Sequence, residues 1–157
     1  MHDFLIGDFY LKIENQYIIP FKGLKEGIHE FSFDISGLFF EEYEKLDVHG
    51  GSLTVLVVLR KNSNFLELDT EINGEIEVQC DRCLDYFSLP DKNNSHLIVR
   101  YSETEKDADD EVIYIHPEEN LLDLKHYFYE CIFLSIPIRK VHPDNVDGTP
   151  GCNMEML

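Results

Sequence analysis

A long alternation of apolar and polar residues, 65–80, limits the fold of this chain more than any other part of its sequence. Apolar residues at every second position predict a β-strand with one buried face. Asn73-Gly74 interrupts the alternation, and these two residue types accept the positive φ angles of a type I′ turn. The sequence therefore predicts two strands, 65–72 and 75–80, joined as an antiparallel hairpin.

Other segments carry the same kind of strand signal. Phe31, Phe33 and Ile35 alternate with polar residues, which is typical of a half-buried strand. Gly50-Gly51 predicts a break in the chain, and the apolar run after it predicts a central strand covered on both faces. The segment 39–46 is compatible with a short helix or an acidic loop. The predicted strands beside the hairpin are 31–35, 53–59, 95–101 and 111–115.

A helix is predicted near the C-terminus, where apolar residues recur at helical spacing. Asn120 with Asp123 three residues later predicts its N-terminal cap, and Pro137 predicts its end. The stripe that would pack on the sheet consists of Leu121, Leu124, Phe128, Cys131 and Ser135. The predicted fold class is α+β: a mainly antiparallel β-sheet, one long C-terminal helix packed on it, and an irregular C-terminal tail. At 157 residues the chain is predicted to form one domain, 1–157.

The charge of the chain restricts its partners. Thirty-one acidic against thirteen basic residues give a formal net charge of −18. Such a surface repels phosphate backbones at long range, which argues against sequence-independent nucleic-acid binding through many Lys and Arg contacts. A basic protein partner or a small local cationic patch remains compatible with this charge. The acidic segment 103–111 lacks the ligand spacing of an EF-hand and predicts a solvated loop.

The sequence also predicts where the protein works and which chemistry it lacks. It shows no signal-peptide pattern and no apolar run long enough to cross a bilayer, which predicts a cytoplasmic protein with reduced thiols. Nucleophile-elbow, phosphate-loop and dinucleotide motifs are missing, and no small-molecule substrate is evident. The prediction is a protein that is not an enzyme, with no catalytic residues.

Two cysteines, Cys80 and Cys83, stand two residues apart at the end of the predicted hairpin. This spacing suits one metal ion or a redox pair. A redox pair usually lies at a helix N-terminus, so the position at a strand end makes thiol oxidoreductase the weaker alternative. Zinc prefers four sulfur and nitrogen donors in a tetrahedron, and Cys152 and His142 share the irregular tail. The predicted zinc ligands are Cys80, Cys83, Cys152 and His142.

If these four ligands converge on one zinc ion, they form a zinc knuckle, and three cations come close to it. Arg82 lies between the two cysteines, and Arg139 and Lys140 lie three and two residues before His142. They are the predicted contacts for nucleic-acid phosphates or a partner. A second hypothesis treats the chain as an acidic module that holds a basic protein, for which the −18 charge is the motivation.

Several of these segments resemble the YceD family. The resemblance rests on the segment 79–84, with the pattern Cys-x-Arg-Cys-Leu, and on the segment 129–137, which ends in Leu-Ser-Ile-Pro. The segments 19–27 and 138–143 are similar to Bacteroidetes-type members. The resemblance implies a non-catalytic role in accumulation of large-subunit ribosomal RNA, and so in ribosome biogenesis. Its implied partners are the large-subunit precursor, ribosomal RNA or a basic ribosomal protein. It also implies a C-terminal cysteine cluster opposite the first CxxC, for which this chain offers only Cys152 and His142.

Overall fold

A computed structural model describes residues 17–104, 106, 109, 111–143 and 151–152 of the chain. Strands dominate this part, and its last regular element is a helix. In chain order the elements are β1 (Ile18–Ile19), a 3-10 turn (Phe21–Gly23), β2 (Gly27–Ile35), α1 (Gly37–Glu42), a second 3-10 turn (Glu44–Leu46), β3 (Gly50–Lys61), β4 (Phe65–Gln79), β5 (Tyr86–Tyr101), β6 (Val112–Ile115), β7 (Leu122–Asp123) and α2 (Lys125–Ser135).

The main sheet has the strand order β2-β3-β4-β5-β6. Its first four strands pair antiparallel, and β6 adds to β5 in parallel. A separate ribbon joins β1 to β7, and α2 packs on β5. The predicted fold class is therefore confirmed: the sheet is mainly antiparallel, and a C-terminal helix lies against it.

The core lies between one face of the sheet and the layer formed by α1, α2 and the β1–β7 ribbon. Leu66, Leu68 and Ile72 of β4 are fully buried, whereas the acidic residues between them face the other side. Because successive side chains of a strand point to opposite faces, the alternation buries one complete row. The rings of Phe33 and Phe128 meet over the sheet with centroids 5.5 Å apart.

The predicted turn at Asn73-Gly74 is wrong, because β4 runs through it without interruption. Asn73 lies opposite Thr54 on one side and Lys92 on the other. Gly74 has a φ of 152°, and a Cβ there would collide with the backbone of Ser52. The glycine therefore allows β3 to approach closely instead of reversing the chain.

The real hairpin turns lie at either end of β4. The β3–β4 turn is closed by the Asn62 side chain, whose Oδ1 accepts hydrogen bonds from the N–H groups of Asn64 and Phe65. The β4–β5 turn spans residues 80–85 and contains the CxxC pair. The cysteines thus lie at a strand end, although the strand that leads to them has 15 residues, more than twice the length of the predicted strand 75–80.

Two predictions for β3 are also wrong. Gly50 and Gly51 begin the strand and do not break it. Leu53, Val55, Val57 and Leu59 are buried, but the Leu56 side chain between them is 46% exposed. The strand is central in the hydrogen-bonded order, yet only one of its faces is covered because no layer packs on the other side of the sheet in the described part of the chain.

The remaining predicted strands are found with different lengths. The segment 31–35 is the second half of β2, 95–101 is the end of β5, and 111–115 contains β6. The segment 39–46 forms the end of α1 and the second 3-10 turn. Residues 105, 107, 108 and 110 of the predicted acidic loop, and most of the predicted irregular tail, lie outside the described residues.

The helix begins later than predicted. Its first residue is Lys125, and its N–H group binds the side chain of Asp123 and not that of Asn120. Leu121 is 52% exposed, because the chain first forms β7 and buries Leu122 against β1. The helix ends at Ser135, before Pro137 as predicted, and Cys131 lies partly buried against the core.

Candidate metal centre

The β4–β5 turn folds the two cysteines of the CxxC pair toward one point. The Cys80 N–H donates to the Asp85 carbonyl at 2.8 Å, and the Leu84 N–H donates to the Cys80 carbonyl at 2.9 Å. Leu84 has a left-handed backbone with a φ of 68°, a conformation that is uncommon for residues other than glycine. Gln79 donates its side-chain amide to the Leu84 carbonyl at 2.9 Å, which supports this bend.

All four predicted ligands converge at this turn. The Sγ atoms of Cys80 and Cys152 are 3.6 Å apart, and Cys83 Sγ lies 3.3 Å from His142 Nδ1. All four ligand atoms lie within 4.8 Å of one another. A tetrahedral zinc ion with its usual bond lengths requires S···S separations of about 3.8 Å and S···N separations of about 3.6 Å. The donor types and their spacing therefore fit zinc.

The state of the thiols agrees with this geometry. Cys80, Cys83 and Cys152 are buried and free of disulfides, although they are a cluster of their own, apart from the main core. A sulfur separation of 3.6 Å is far beyond the bond length of about 2.05 Å in a disulfide. The cluster is shielded by Phe87 and Val141, which pack against it.

The tail segment that carries His142 is held by three contacts. Asp81 exchanges two hydrogen bonds with the backbone of Lys140: its N–H donates to the carbonyl at 2.6 Å, and its Oδ2 accepts from the N–H at 2.7 Å. The His142 ring stacks on Phe87 with centroids 4.6 Å apart. Gly151 comes so close to Pro143 that a Cβ would collide with the Pro143 carbonyl oxygen. These contacts place residues 140–143 and 151–152 at the knuckle.

Burial and hydrogen bonding have opposite effects on the pKa of the Cys80 thiol. Burial raises the pKa of the thiol, but the N–H groups of Cys83 and Arg82 lower it. Hydrogen bonds from His142 act in the same direction, so the pKa of Cys80 falls to about 5. An anionic sulfur is the form that binds a metal.

The pKa of Cys152 shifts in the opposite direction to that of Cys80. Burial raises the pKa of Cys152, and the neighbouring sulfur atoms of Cys80 and Cys83 raise it further. A hydrogen bond from Arg82 partly offsets these effects. The Nε atom of Arg82 lies 3.1 Å from the Cys152 sulfur. The pKa shifts of Cys80 and Cys152 therefore have opposite directions.

The three predicted cations differ in their relation to the cluster. Arg82 is bound to Cys152, the backbone of Lys140 is bound to Asp81, and Arg139 is exposed between Ile138 and Lys140. The sequence did not single out Asp81, Phe87 or Gly151 as parts of this centre. Only the strongly polar insert between the cysteines was a signal for Asp81, whereas the roles of Phe87 and Gly151 depend on where the tail folds back.

The fold and the site together define a class of protein. Its β-sheet is covered on one face, and its C-terminal segment supplies two of the four residues of a Cys3His cluster. The model of the family described as large ribosomal RNA subunit accumulation protein YceD matches residues 68–156. This match covers more than half of the chain, and the chain belongs to the YceD family. No curated protein and no solved structure matches it. None of the helices in the described residues is long and apolar enough to cross a membrane.

Proposed function

We propose that this protein is a non-catalytic factor in large ribosomal subunit biogenesis that supports accumulation of large-subunit ribosomal RNA in the cytoplasm. The observation that carries the proposal is the family match, because residues 68–156 contain the complete Cys3His cluster. The strands β2 and β3 lie before the matched region but pair with β4 in the same sheet. This shared sheet supports one YceD-like domain over 1–157.

Zinc has a structural role in this proposal. Four protein ligands leave no open position, which is typical of structural and not of catalytic zinc sites. The ion would join the β4–β5 turn to the tail, since two ligands come from each. Chemically, bound zinc would supply a cross-link between segments that are otherwise held by hydrogen bonds.

Metal content tests the zinc proposal directly. We expect about one zinc per chain in protein purified without chelator, and loss of zinc in both Cys80→Ser and Cys152→Ser. Cys131→Ser is the matched control, because Cys131 lies in α2 and not in the cluster. A parent without zinc contradicts the proposal, and so does a Cys152→Ser variant that keeps it.

The cationic side of the knuckle is the proposed contact for ribosomal RNA. Arg82 contacts the cluster at Cys152, the Lys140 backbone binds Asp81, and Arg139 precedes Lys140 in a chain whose net charge is −18. A small patch of this kind reaches one or two phosphates without the extended basic surface of a non-specific binder. The patch would bind phosphates at one place on the protein, because the acidic surface elsewhere repels phosphate groups.

Co-sedimentation tests the ribosomal role. The wild type should co-sediment with large-subunit precursors, and Arg139→Glu should weaken this association. Lys25→Glu is the control, since Lys25 is also an exposed cation, lies before β2, and its substitution changes the net charge by the same amount. No association, together with normal ribosomal RNA levels in a deletion strain, would falsify the proposal.

A second candidate is a module that holds a basic ribosomal protein. One observation favours it: a cleft of about 530 Å³ lies beside the knuckle and has no Lys or Arg among its lining residues. One wall is the stacked pair His49 and Tyr86, with ring centroids 4.3 Å apart. An open aromatic face and several carboxylates suit an arginine or lysine side chain. The lining residues are Phe40, Glu41, Glu44, Asp47, Val48, His49, Gln79 and Tyr86.

Binding of isolated ribosomal proteins tests this candidate. The affinity should fall steeply from about 50 to about 300 mM salt, because exposed charges are screened over the Debye length. Glu44→Lys with Asp47→Lys should weaken binding further, whereas Glu118→Lys with Glu119→Lys should have a much smaller effect. An affinity that ignores ionic strength rejects the module.

A further inference from the structure

The two residues inside the CxxC spacer both point to the C-terminal segment. The Arg82 guanidinium donates from Nε to the Cys152 sulfur at 3.1 Å. Asp81 binds the Lys140 peptide groups on both sides, as donor at 2.6 Å and as acceptor at 2.7 Å. Thus one spacer residue contacts a tail ligand itself, and the other contacts the backbone two residues before the second tail ligand, His142.

The charge of the centre gives the Arg82 contact its importance. Three thiolates, a neutral imidazole and a divalent ion have a net charge of −1, and the rest of the chain is strongly acidic. A buried excess charge is unfavourable unless it is paired. The guanidinium neutralises this excess and forms a charge-assisted hydrogen bond to one sulfur. Partners of this kind orient metal ligands and tune their basicity.

We propose that Asp81 and Arg82 are positioning residues of the metal centre, which we call the spacer latch. Arg82 holds the sulfur of Cys152, and Asp81 holds the backbone that presents His142. The inference rests on the proposed zinc site and adds to it the way in which two distant ligands are recruited. Arg82 and Arg139 are both exposed, and the latch gives Arg82 a role at the metal centre in addition to its proposed phosphate contact.

The sequence alone does not reveal such a latch. Asp and Arg between two cysteines are compatible with simple solvation of an exposed turn. The structure distinguishes the two roles because the partner atoms belong to residues 59 and 70 positions away in the chain. A merely solvated spacer would make no contact with the tail.

Residue-resolved alkylation of the zinc-loaded full chain tests the Arg82 half of the latch. Hydrogen bonding lowers the reactivity of a metal-bound thiolate, so Arg82→Gln should speed alkylation of Cys152 about tenfold, as expected for loss of one charged hydrogen bond. Cys83 should change much less, because its hydrogen-bond partner is His142. Arg82→Lys restores a cation and should recover part of the protection, whereas Arg139→Gln should leave the pattern unchanged.

Zinc transfer to a chelator tests the Asp81 half. Asp81→Ala should release zinc several times faster than the parent, and Asp81→Asn should fall between them because an amide oxygen still accepts from the Lys140 N–H. Circular dichroism of each variant establishes that the sheet is intact.

The outcomes separate the latch from the metal site itself. Zinc content is measured on the same samples, and a parent without zinc overturns both proposals together. If zinc is retained and Cys152 is alkylated at the same rate in the parent and in Arg82→Gln, the proposed role of Arg82 is wrong. The proposed metal site is not contradicted by that result. Equal zinc release by parent and Asp81→Ala does the same for Asp81.

Discussion

At the scale of single residues, Gly74 is a glycine that the backbone requires, although the turn predicted from it is wrong. The glycine is required, but for close approach of β3 and not for a turn. Its position faces the backbone of Ser52 and Leu53, and backbone atoms cannot move aside as a flexible side chain can. A side chain at 74 must therefore displace two paired strands.

We expect Gly74→Ala to lower the free energy of unfolding by about 2 kcal/mol or more, through both the collision and the positive φ. Gly50→Ala is the matched control, since Gly50 lies in the neighbouring strand and a Cβ added there would meet no atom within 4 Å. Chemical denaturation of both variants measures the difference. Equal stability of the two variants would show that the sheet relaxes around residue 74.

The cysteines give a second residue-scale prediction, about redox activity. The pKa of about 5 for Cys80 resembles that of a reactive thiolate, but reactive cysteines are usually partly exposed, and Cys80 and Cys83 are both buried. We expect the zinc-loaded protein to show no turnover of a small disulfide substrate. Metal-free protein serves as the comparison, and turnover by the zinc-loaded form would favour the oxidoreductase alternative.

At the scale of elements, the sequence predicted a part of every long strand, the position of the CxxC pair at a strand end and the end of the helix. It divided β4 into two strands and predicted only the end of β5. Period-two alternation in β2 and β4 was sufficient, because burial on one face imposes that pattern directly. The continuity of β4 could not be predicted, since it depends on pairing with β3 and β5 on both sides of Asn73-Gly74. The late start of α2 has the same origin: β1 pairs with Leu122 and removes it from the helix.

The contact between α2 and β5 contains a buried carboxylate that accepts hydrogen bonds. The Ser135 hydroxyl at the end of the helix lies 3.0 Å from Oδ2 of Asp91, which is buried on β5. The same hydroxyl lies 2.7 Å from the Ile132 carbonyl, so its one hydrogen is shared between two acceptors. Asn93 supplies a longer hydrogen bond to Oδ1 at 3.3 Å. A buried carboxylate that loses a donor bears the cost of desolvation without compensation.

Ser135→Ala should therefore lower the free energy of unfolding by about 1–3 kcal/mol. Ser88→Ala is the control, because Ser88 also binds a carboxylate, that of Glu75, but on the exposed side of the sheet. Thermal and chemical unfolding of both variants provide the comparison. If Ser135→Ala is no more destabilising than Ser88→Ala, the hydrogen bond to Asp91 contributes no net stability to the packing of the helix.

At the scale of the whole molecule, the candidate site was easier to predict than its surroundings. Ligand chemistry restricted the choice to few residues: zinc prefers sulfur and nitrogen donors, and the chain has only four cysteines. The latch and the ring stack on His142 depend on how the tail returns to the β4–β5 turn. That return is a long-range contact, for which a sequence pattern carries no signal.

The net charge of −18 yields a prediction for the complete protein. Local ion pairs balance part of this charge on the exposed sheet face, where Arg60 lies 2.7 Å from Asp69. Most of the acidic excess remains, and self-repulsion destabilises a compact state. Salt screens this repulsion, with a Debye length that falls from about 30 Å at 0.01 M to about 8 Å at 0.15 M.

We therefore expect the melting temperature to rise with sodium chloride, by roughly 2–4 °C if screening is worth about 1 kcal/mol in a chain of this size. A variant with Glu26, Glu30, Glu118 and Glu119 changed to Gln has a net charge of −14, since four negative charges are removed from −18. It should start from a higher melting temperature at low salt and respond less to added salt. Calorimetry of both proteins, with reductant and zinc held constant, measures the two slopes. A melting temperature that falls with salt would mean that pairs such as Arg60 with Asp69 outweigh the general repulsion, and the acidic surface would then be stabilised by its own cations.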